Sequence, residues 1–275
     1  MIIRADARAL PLRDGCVDCC VTSPPYFGLR DYGNHQQIGL EQTPDAYVTS
    51  LVQVFHEIRR VLKDSGTVWL NLGDSYSRRD NTLLGIPWRV AQALRVAGWL
   101  VQSEVIWAKP KGAPAGGATR PLRAHEQIFL VAATPEYLYD ADAVREPLAP
   151  ATLERYRYSV KGIRSRLSGD TETRKILTPN AAGRYRRSVW TVTPTSTRDD
   201  GEHHATMPEG IVEPCILSGC PLGGLVLDPF LGSGTVGAVA ERLGRRWVGT
   251  DLSYQPLAKK RTAQRGIRFE PEEVA

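Results

Sequence analysis

The stretch "LVLDPFLGSGTVGAVAERLGRRWVGTDL", residues 225–252, decides the architecture. An apolar run from Leu225 to Leu227 ends on Asp228, and Gly232, Ser233 and Gly234 make a tight turn. A helical pattern then runs through Ala240 and Leu243, and a second apolar run, Trp247 to Gly249, ends on Asp251. Strand, glycine turn, helix and strand, closed by an acid, is the unit in which a nucleoside-bearing ligand lies across the carboxyl ends of parallel strands.

The loop itself narrows the ligand. No Lys follows Gly234 and the GxxxxGK[ST] spacing is absent, which argues against a triphosphate. "GSGTVG" is a near match to the dinucleotide fingerprint, but Asp228, Pro229 and Phe230 precede it. A carboxylate there would repel a pyrophosphate. It suits a cofactor with a positive amine, while Asp251 is placed to accept from ribose hydroxyls. S-adenosylmethionine satisfies both acids, whereas a glycine turn serving helix packing alone explains neither.

Working outward, "MIIRAD", "CVDCCVTSPP", "TVWLNLGDS", "LVQSEVIWAKP" and "EQIFLVAAT" are further short apolar runs that end in polar or glycine turns. Helical patterns lie between several of them. Tyr47, Leu51, Val54, Phe55, Ile58 and Leu62 recur at spacings of three and four, with Gly66 read as the stop, and "IPWRVAQALRVAGW" has Pro87 in its first turn and Gly98 past its last. Such alternation predicts an α/β fold, a mostly parallel sheet with helices on both faces. At 275 residues and 42% hydrophobic content, one large domain with an insertion is expected.

The insertion is read at 146–200, between a catalytic part (1–145) and a cofactor-binding part (201–275) of one domain. It is rich in Arg, Lys, Tyr, Ser and Gly and lacks the alternation. Arg155, Arg157, Lys161, Arg164, Arg166, Arg184, Arg186 and Arg187 are interleaved with Tyr156, Tyr158, Tyr185 and Trp190. Guanidinium groups for phosphates beside flat rings for bases make a nucleic-acid contact surface, although charge runs are usually solvated loops. The chain carries 35 basic and 30 acidic residues, a net charge of +5, so the location of the excess matters more than its size.

No apolar run approaches the roughly 20 residues that span a bilayer, and Arg4 interrupts any signal-peptide core, so no membrane partner and a cytoplasmic setting are expected. The odd set Cys16, Cys19, Cys20, Cys215 and Cys220 reads as buried free thiols, not as metal ligands. The five His residues likewise offer no ligand spacing, and no metal is expected.

"TSPPY" (22–26) together with "DPFLGSGT" (228–235) resembles the DNA amino-methyltransferases, which methylate the exocyclic nitrogen of cytosine or adenine. The order of catalytic motif, basic variable region and cofactor loop is similar to that of the circularly permuted beta group. "QIGLE", "GTVWLNLGDS", "VIWAKP", "RAHEQIFLVA" and "HHATMPEGIVEPCI" look like further family segments. The resemblance implies a Rossmann-like, S-adenosylmethionine-dependent methyltransferase fold and a flipped-base mechanism in double-stranded DNA. It also places Asp6 near the cofactor adenine, His204 beside the cofactor, and Asp228, Pro229, Phe230, Gly232, Gly234, Thr235 and Asp251 in the cofactor loop. A homodimer and a companion restriction endonuclease are compatible with it, and the host, a bacterial or phage-infected cell, is implied by the resemblance alone.

Ser23, Pro24, Pro25 and Tyr26 are the implied catalytic set. An amino nitrogen conjugated with a ring is a poor nucleophile. Acceptors at the Ser23 hydroxyl and the Pro24 carbonyl would draw it toward tetrahedral geometry, and two prolines hold those acceptors still. Tyr26 is expected to face outward and stack on the extruded base; Phe27 is either a second wall or core. In the family, Ser at the first position accompanies cytosine-N4 methylation more often and Asp accompanies adenine-N6. Cytosine N4 is therefore expected, with adenine N6 the alternative and an inactive nucleic-acid-binding module a more distant one. A cytosine-C5 enzyme would place its Pro-Cys pair after the catalytic strand, but Pro214-Cys215 lies elsewhere; glutamine methyltransferases carry the two motifs in the opposite order.

Overall fold

In the computed structural model, residues 1–110, 119–157, 180–197 and 204–252 are described. The chain divides into two compact units, residues 1–139 with 188–275, and residues 140–187.

The larger unit is built on an eight-stranded sheet. In chain order its strands are β1 (Ile2–Arg4), β2 (Val17–Thr22), β3 (Leu62–Leu72), β4 (Leu100–Ala108), β5 (His125–Ala132), β6 (Val189–Thr191), β9 (Leu225–Asp228) and β10 (Arg246–Asp251). A separate antiparallel pair joins β7 (Thr195–Thr197) to β8 (His204–Thr206). Across the large sheet the order is β1-β10-β9-β2-β3-β5-β4-β6. Among the described strands of this sheet, β5 alone runs against the direction of the rest.

Strand β2 lies between β9 and β3 and is buried at all six positions, as expected of a central parallel strand covered on both faces. Its alternate side chains feed opposite cores. Cys20 joins Val68 and Leu70 beneath α1 (Pro44–Val61) and α2 (Ile86–Val96). Cys19 and Val21 join Trp69, Ile128 and Val226 beneath α4 (Glu209–Gly219) and α5 (Thr235–Arg242). Asp18, buried in β2, is compensated by Lys63 Nζ at 2.6 Å and by the Leu225 N–H at 2.8 Å. All five cysteines are free; Cys19, Cys20, Cys215 and Cys220 are buried as read, whereas Cys16 is only half-buried.

Helix α1 follows its pattern: Thr43 caps it by accepting from the Ala46 N–H at 3.2 Å, and Tyr47, Leu51, Val54, Phe55 and Ile58 form its buried stripe. The stop expected at Gly66 is corrected, because the helix ends at Val61 and β3 begins at Leu62. Gly66 does not take the left-handed conformation of a helix cap. Residues 63–65 are drawn into the extended form by distant partners: Lys63 reaches Asp18, the Asp64 carbonyl accepts from Thr134, and the Ser65 carbonyl accepts from the Leu138 N–H. Helix α2 has Pro87 in its first turn and Gly98 beyond its end, as expected.

A second correction concerns Trp190. It is no outward nucleic-acid platform but a buried residue of β6, 4% exposed and 5.9 Å centroid to centroid from Trp69. Its pairing beside β4 makes this one ring part of the sheet edge and core.

The smaller unit holds α3 (Pro150–Arg157), which carries Arg155 and Arg157, and a β-bridge between Glu146 and Arg184. Glu146 pairs with Arg184 at 3.0 Å and lies 3.9 Å from Arg187, while Arg145 stacks on the exposed ring of Tyr185. Tyr158, Lys161, Arg164 and Arg166 lie outside the described residues.

Candidate active site

The connections leaving β9 and β2 run in opposite directions: β9 continues through α5 to β10, and β2 through α1 to β3. Between β9 and β2 the sheet therefore has a topological switch point, where the loops part and leave a crevice. A cleft of about 1620 Å³ opens there. Its lining joins the end of β1 (Asp6), the tetrapeptide after β2 (Ser23, Pro24, Pro25, Tyr26), the glycine loop after β9 and Asp251 of β10. Because β5 runs the other way, its first residues, His125 and Glu126, reach the same edge.

On the cofactor-loop side, Asp228 is 5% exposed. Its Oδ1 accepts from the Thr22 hydroxyl at 2.8 Å and from the Phe230 N–H at 3.1 Å, which ties the two strands across the switch point. Burial pushes its carboxyl up to about 7, the charge of Asp251 adds to this, and the two hydrogen bonds oppose it. Asp251 accepts from the Gly232 N–H at 3.0 Å. Gly232 and Gly234 have φ of +49° and +80°, so the turn uses a conformation that disfavours any Cβ, and Thr235 opens α5 directly after it. Asp6 is held by Arg8 Nη2 at 2.7 Å. Burial raises its carboxyl, but the Arg8 hydrogen bonds and charge more than reverse this and leave it below the usual range. His204 falls in β8, on which the large sheet does not depend.

The state of Asp228 gives a first prediction. Its folded value lies above the unfolded one, so its contribution to stability is fully present below about pH 4 and is lost as pH rises through about 7. The span of roughly three pH units corresponds to roughly 4 kcal/mol in the ligand-free protein. Melting of the wild type and Asp228→Asn across pH 5 to 8 should show the wild type losing ground from pH 5 to about 7 and levelling off above that. A constant difference between the two would contradict the assignment.

On the catalytic side, Tyr26 lines the cleft half-buried, with its hydroxyl anchored in the sheet. Its ring lies against Gly73, where a Cβ would come within 2.4 Å of Cε2. Its hydroxyl donates to Glu126 Oε2 at 2.7 Å, accepts from Asn71 Nδ2 at 2.7 Å, and lies 3.2 Å from Ser23 Oγ. Burial, then the Glu126 carboxylate, push the phenol well above its usual range, so it stays protonated. Asn71 Nδ2 also reaches Glu126 Oε2 at 2.9 Å and Ser23 Oγ at 3.3 Å. Lys109, at the end of β4, pairs with Glu126 Oε1 and lies 4.3 Å over the Trp107 ring. The prolines are braced from behind: Tyr47 donates to the Pro25 carbonyl at 2.9 Å, and Phe27 packs on Tyr47 against the core while also lining the cleft.

The sequence reading did not assign Asn71, Lys109 or Glu126 to the site. A signal was present: an Asn and a Glu inside two apolar strands, and a Lys just past a third, are costly there without partners. Their common destination required the strand order.

A mostly parallel sheet with a switch-point crevice, a glycine loop and acids at the strand ends is the arrangement of a Rossmann-like, nucleoside-binding fold. The buried carboxyl of Asp228, which a cation would draw into its charged form, and the Asp251-braced loop fit a cationic nucleoside cofactor. The chain belongs to the DNA methylase family that methylates exocyclic N4 or N6 amino groups, its family model matching residues 17–259. Type II methyltransferase M.SmaI of Serratia marcescens is 36% identical, with 96% of this chain and 91% of that protein covered. M.XycI of Xanthomonas campestris pv. cyanopsidis is 37% identical over 92% of this chain and 83% of its own length. Among solved structures, PvuII DNA methyltransferase (cytosine-N4-specific) superposes with a TM-score of 0.69 at 17% identity, covering 99% of this chain and 88% of that one. The Thermus thermophilus protein TTHA0409, complexed with S-adenosyl-L-methionine, gives 0.64 at 22%, covering 96% and 93%. The protein is thus a DNA methyltransferase. No helix among the described residues is long and apolar enough to cross a membrane.

Proposed function

We propose that the chain methylates the exocyclic N4 of cytosine in double-stranded DNA, by direct transfer to a base turned out of the duplex. The observation that carries this reading is Ser23: a neutral hydroxyl stands first in the tetrapeptide, at the cleft, with Asn71 and Tyr26 around it. Ser23 Oγ and the Pro24 carbonyl accept from the amino group, and localise its lone pair on nitrogen without full deprotonation. The braced prolines fix both acceptors before the base arrives. Bound S-adenosylmethionine supplies an electrophilic methyl on a positive sulfonium.

Asp228 pairs with the ammonium of the cofactor, Asp251 takes the ribose hydroxyls, and Gly232, Gly234 and Thr235 allow close backbone approach; Asp6 and His204 flank it, with Pro229 and Phe230 shaping the loop. The basic region 146–200, including Arg155, Arg157, Lys161, Arg164, Arg166, Arg184, Arg186 and Arg187, holds phosphates and reads sequence. The Type II designation of the relatives supports a companion restriction endonuclease, and a monomer or homodimer can carry the same site.

Single-turnover transfer of tritiated methyl to unmethylated genomic DNA tests the role of Ser23. Ser23→Ala is expected to slow transfer about 100-fold, as loss of one preorganised polar group does, with cofactor affinity within about twofold of wild type. Equal rates would remove Ser23 from the reaction and with it the basis of the cytosine reading.

A further inference from the structure

The hydrogen-bond network behind Ser23 has a direction. Asn71 Nδ2 lies 2.9 Å from Glu126 Oε2, so the amide must present its nitrogen there; the reversed amide would set oxygen against carboxylate oxygen. The cost is visible, since among the described residues the buried Asn71 Oδ1 has no hydrogen-bond partner. With Asn71 donating to the Tyr26 hydroxyl, the single Tyr26 proton goes to Glu126 Oε2 at 2.7 Å. The contact between Ser23 Oγ and Tyr26 Oη, 3.2 Å, is then made by the Ser23 proton. Ser23 is left with accepting capacity toward the cleft and no proton to offer there.

We infer that Glu126 is a positioning residue that acts through Tyr26: it orients the hydroxyl chain so that Ser23 only accepts, and it receives the proton that the amino group sheds. This rests on the methylation of an exocyclic amine proposed above and holds for N4 or N6 alike. When the new N–C bond forms, the methyl carbon's bond to sulfur breaks and its electron pair stays on sulfur, leaving a cationic nitrogen. One N–H bond then breaks with its pair returning to nitrogen. That proton goes to Ser23 Oγ as the Ser23 proton moves to Tyr26 and the Tyr26 proton to Glu126 Oε2. Cation and carboxylate become two neutral groups, and water later removes the proton from Glu126. A methylated aminium is a far stronger acid than a carboxylic acid, so the transfer runs downhill even with Lys109 pairing the same carboxylate. A high phenol pKa suits this role, because Tyr26 must pass a proton without resting as phenolate. The same direction selects substrates: an amino group can donate to Ser23, whereas a carbonyl in its place meets only acceptors.

The test uses the full chain with S-adenosylmethionine and genomic DNA, comparing Glu126→Gln, Tyr26→Phe and the double variant. Each single variant is expected to lose about 100-fold in single-turnover methyl transfer, within the usual range for acid–base groups, while cofactor and DNA affinities stay within about threefold. The double variant should be no slower than either single one, because both cut the same chain. Glu126→Asp, which keeps the carboxylate, should recover at least about tenfold of the loss. Rates for Glu126→Gln within about threefold of wild type, additive losses, no recovery in Glu126→Asp, or a parallel loss of cofactor binding would each overturn the inference. Failure of the wild type itself to methylate any amino base would instead sink the underlying functional reading.

Discussion

Gly73→Ala is expected to cut methyl transfer by at least about 100-fold, although it adds one methyl group and removes no polar atom. The added Cβ would stand 2.4 Å from Tyr26 Cε2 and 2.6 Å from Cδ2, far inside contact distance. The ring cannot slide aside cheaply, because its hydroxyl is bound to Glu126 and Asn71 and touches Ser23. Any shift that relieves the clash therefore moves the Ser23 hydroxyl environment as well, and displacements on the order of 1 Å at a reacting group cost about that much. The fold itself should absorb about 1–3 kcal/mol of overpacking and remain folded at 25 °C. Single-turnover rates beside a thermal melt decide the matter: more than a tenth of the wild-type rate would show that Tyr26 is not held as described.

Asp251→Ala is expected to weaken S-adenosylmethionine binding about 100-fold, equivalent to about 2.7 kcal/mol at 25 °C. Two effects combine. The charged acceptors proposed for the ribose are lost, each charge-assisted bond contributing about 1.5–3 kcal/mol, and the Gly232 N–H loses the acceptor that sets the glycine turn. Asp251→Asn keeps an oxygen for Gly232 but not the charge, so a loss of about tenfold is expected. Calorimetric titration with the cofactor separates these cases, and unchanged affinity in Asp251→Ala would place the nucleoside elsewhere in the cleft.

Much of the fold was readable because parallel strands and amphipathic helices write themselves in local patterns. The glycine unit at 225–252 appears as read, with β9, α5 and β10 in place and Asp251 at the strand end. The helix stop at Gly66 misled because glycine permits a cap without requiring one; tertiary partners of Lys63, Asp64 and Ser65 set the boundary instead. Trp190 misled for a related reason. Composition places it among arginines, but its side chain serves the edge strand β6 and the core around Trp69.

At the site, local motifs revealed the residues that follow β2 and β9 but not those brought in from across the sheet. Ser23 and Asp228 sit in short signatures. Glu126 is 100 positions from Tyr26 in sequence, and it reaches the cleft because β5 is antiparallel and starts where its neighbours end. The anchoring of Tyr26 was likewise hidden, since its ring edge needs the absence of a side chain at Gly73, on another strand end. Sequence patterns carry the backbone frame well, whereas the hydrogen-bonding network depends on strand order.

The most direct measurement of the central claim is the identity of the modified nucleoside. Wild-type protein is incubated with labelled S-adenosylmethionine and unmethylated genomic DNA, the DNA is digested to nucleosides, and the product is identified by mass spectrometry. N4-methyldeoxycytidine is the predicted result. N6-methyldeoxyadenosine would contradict the reading of Ser23 while leaving the family and the cleft intact, and 5-methyldeoxycytidine would contradict direct transfer to an amino group altogether.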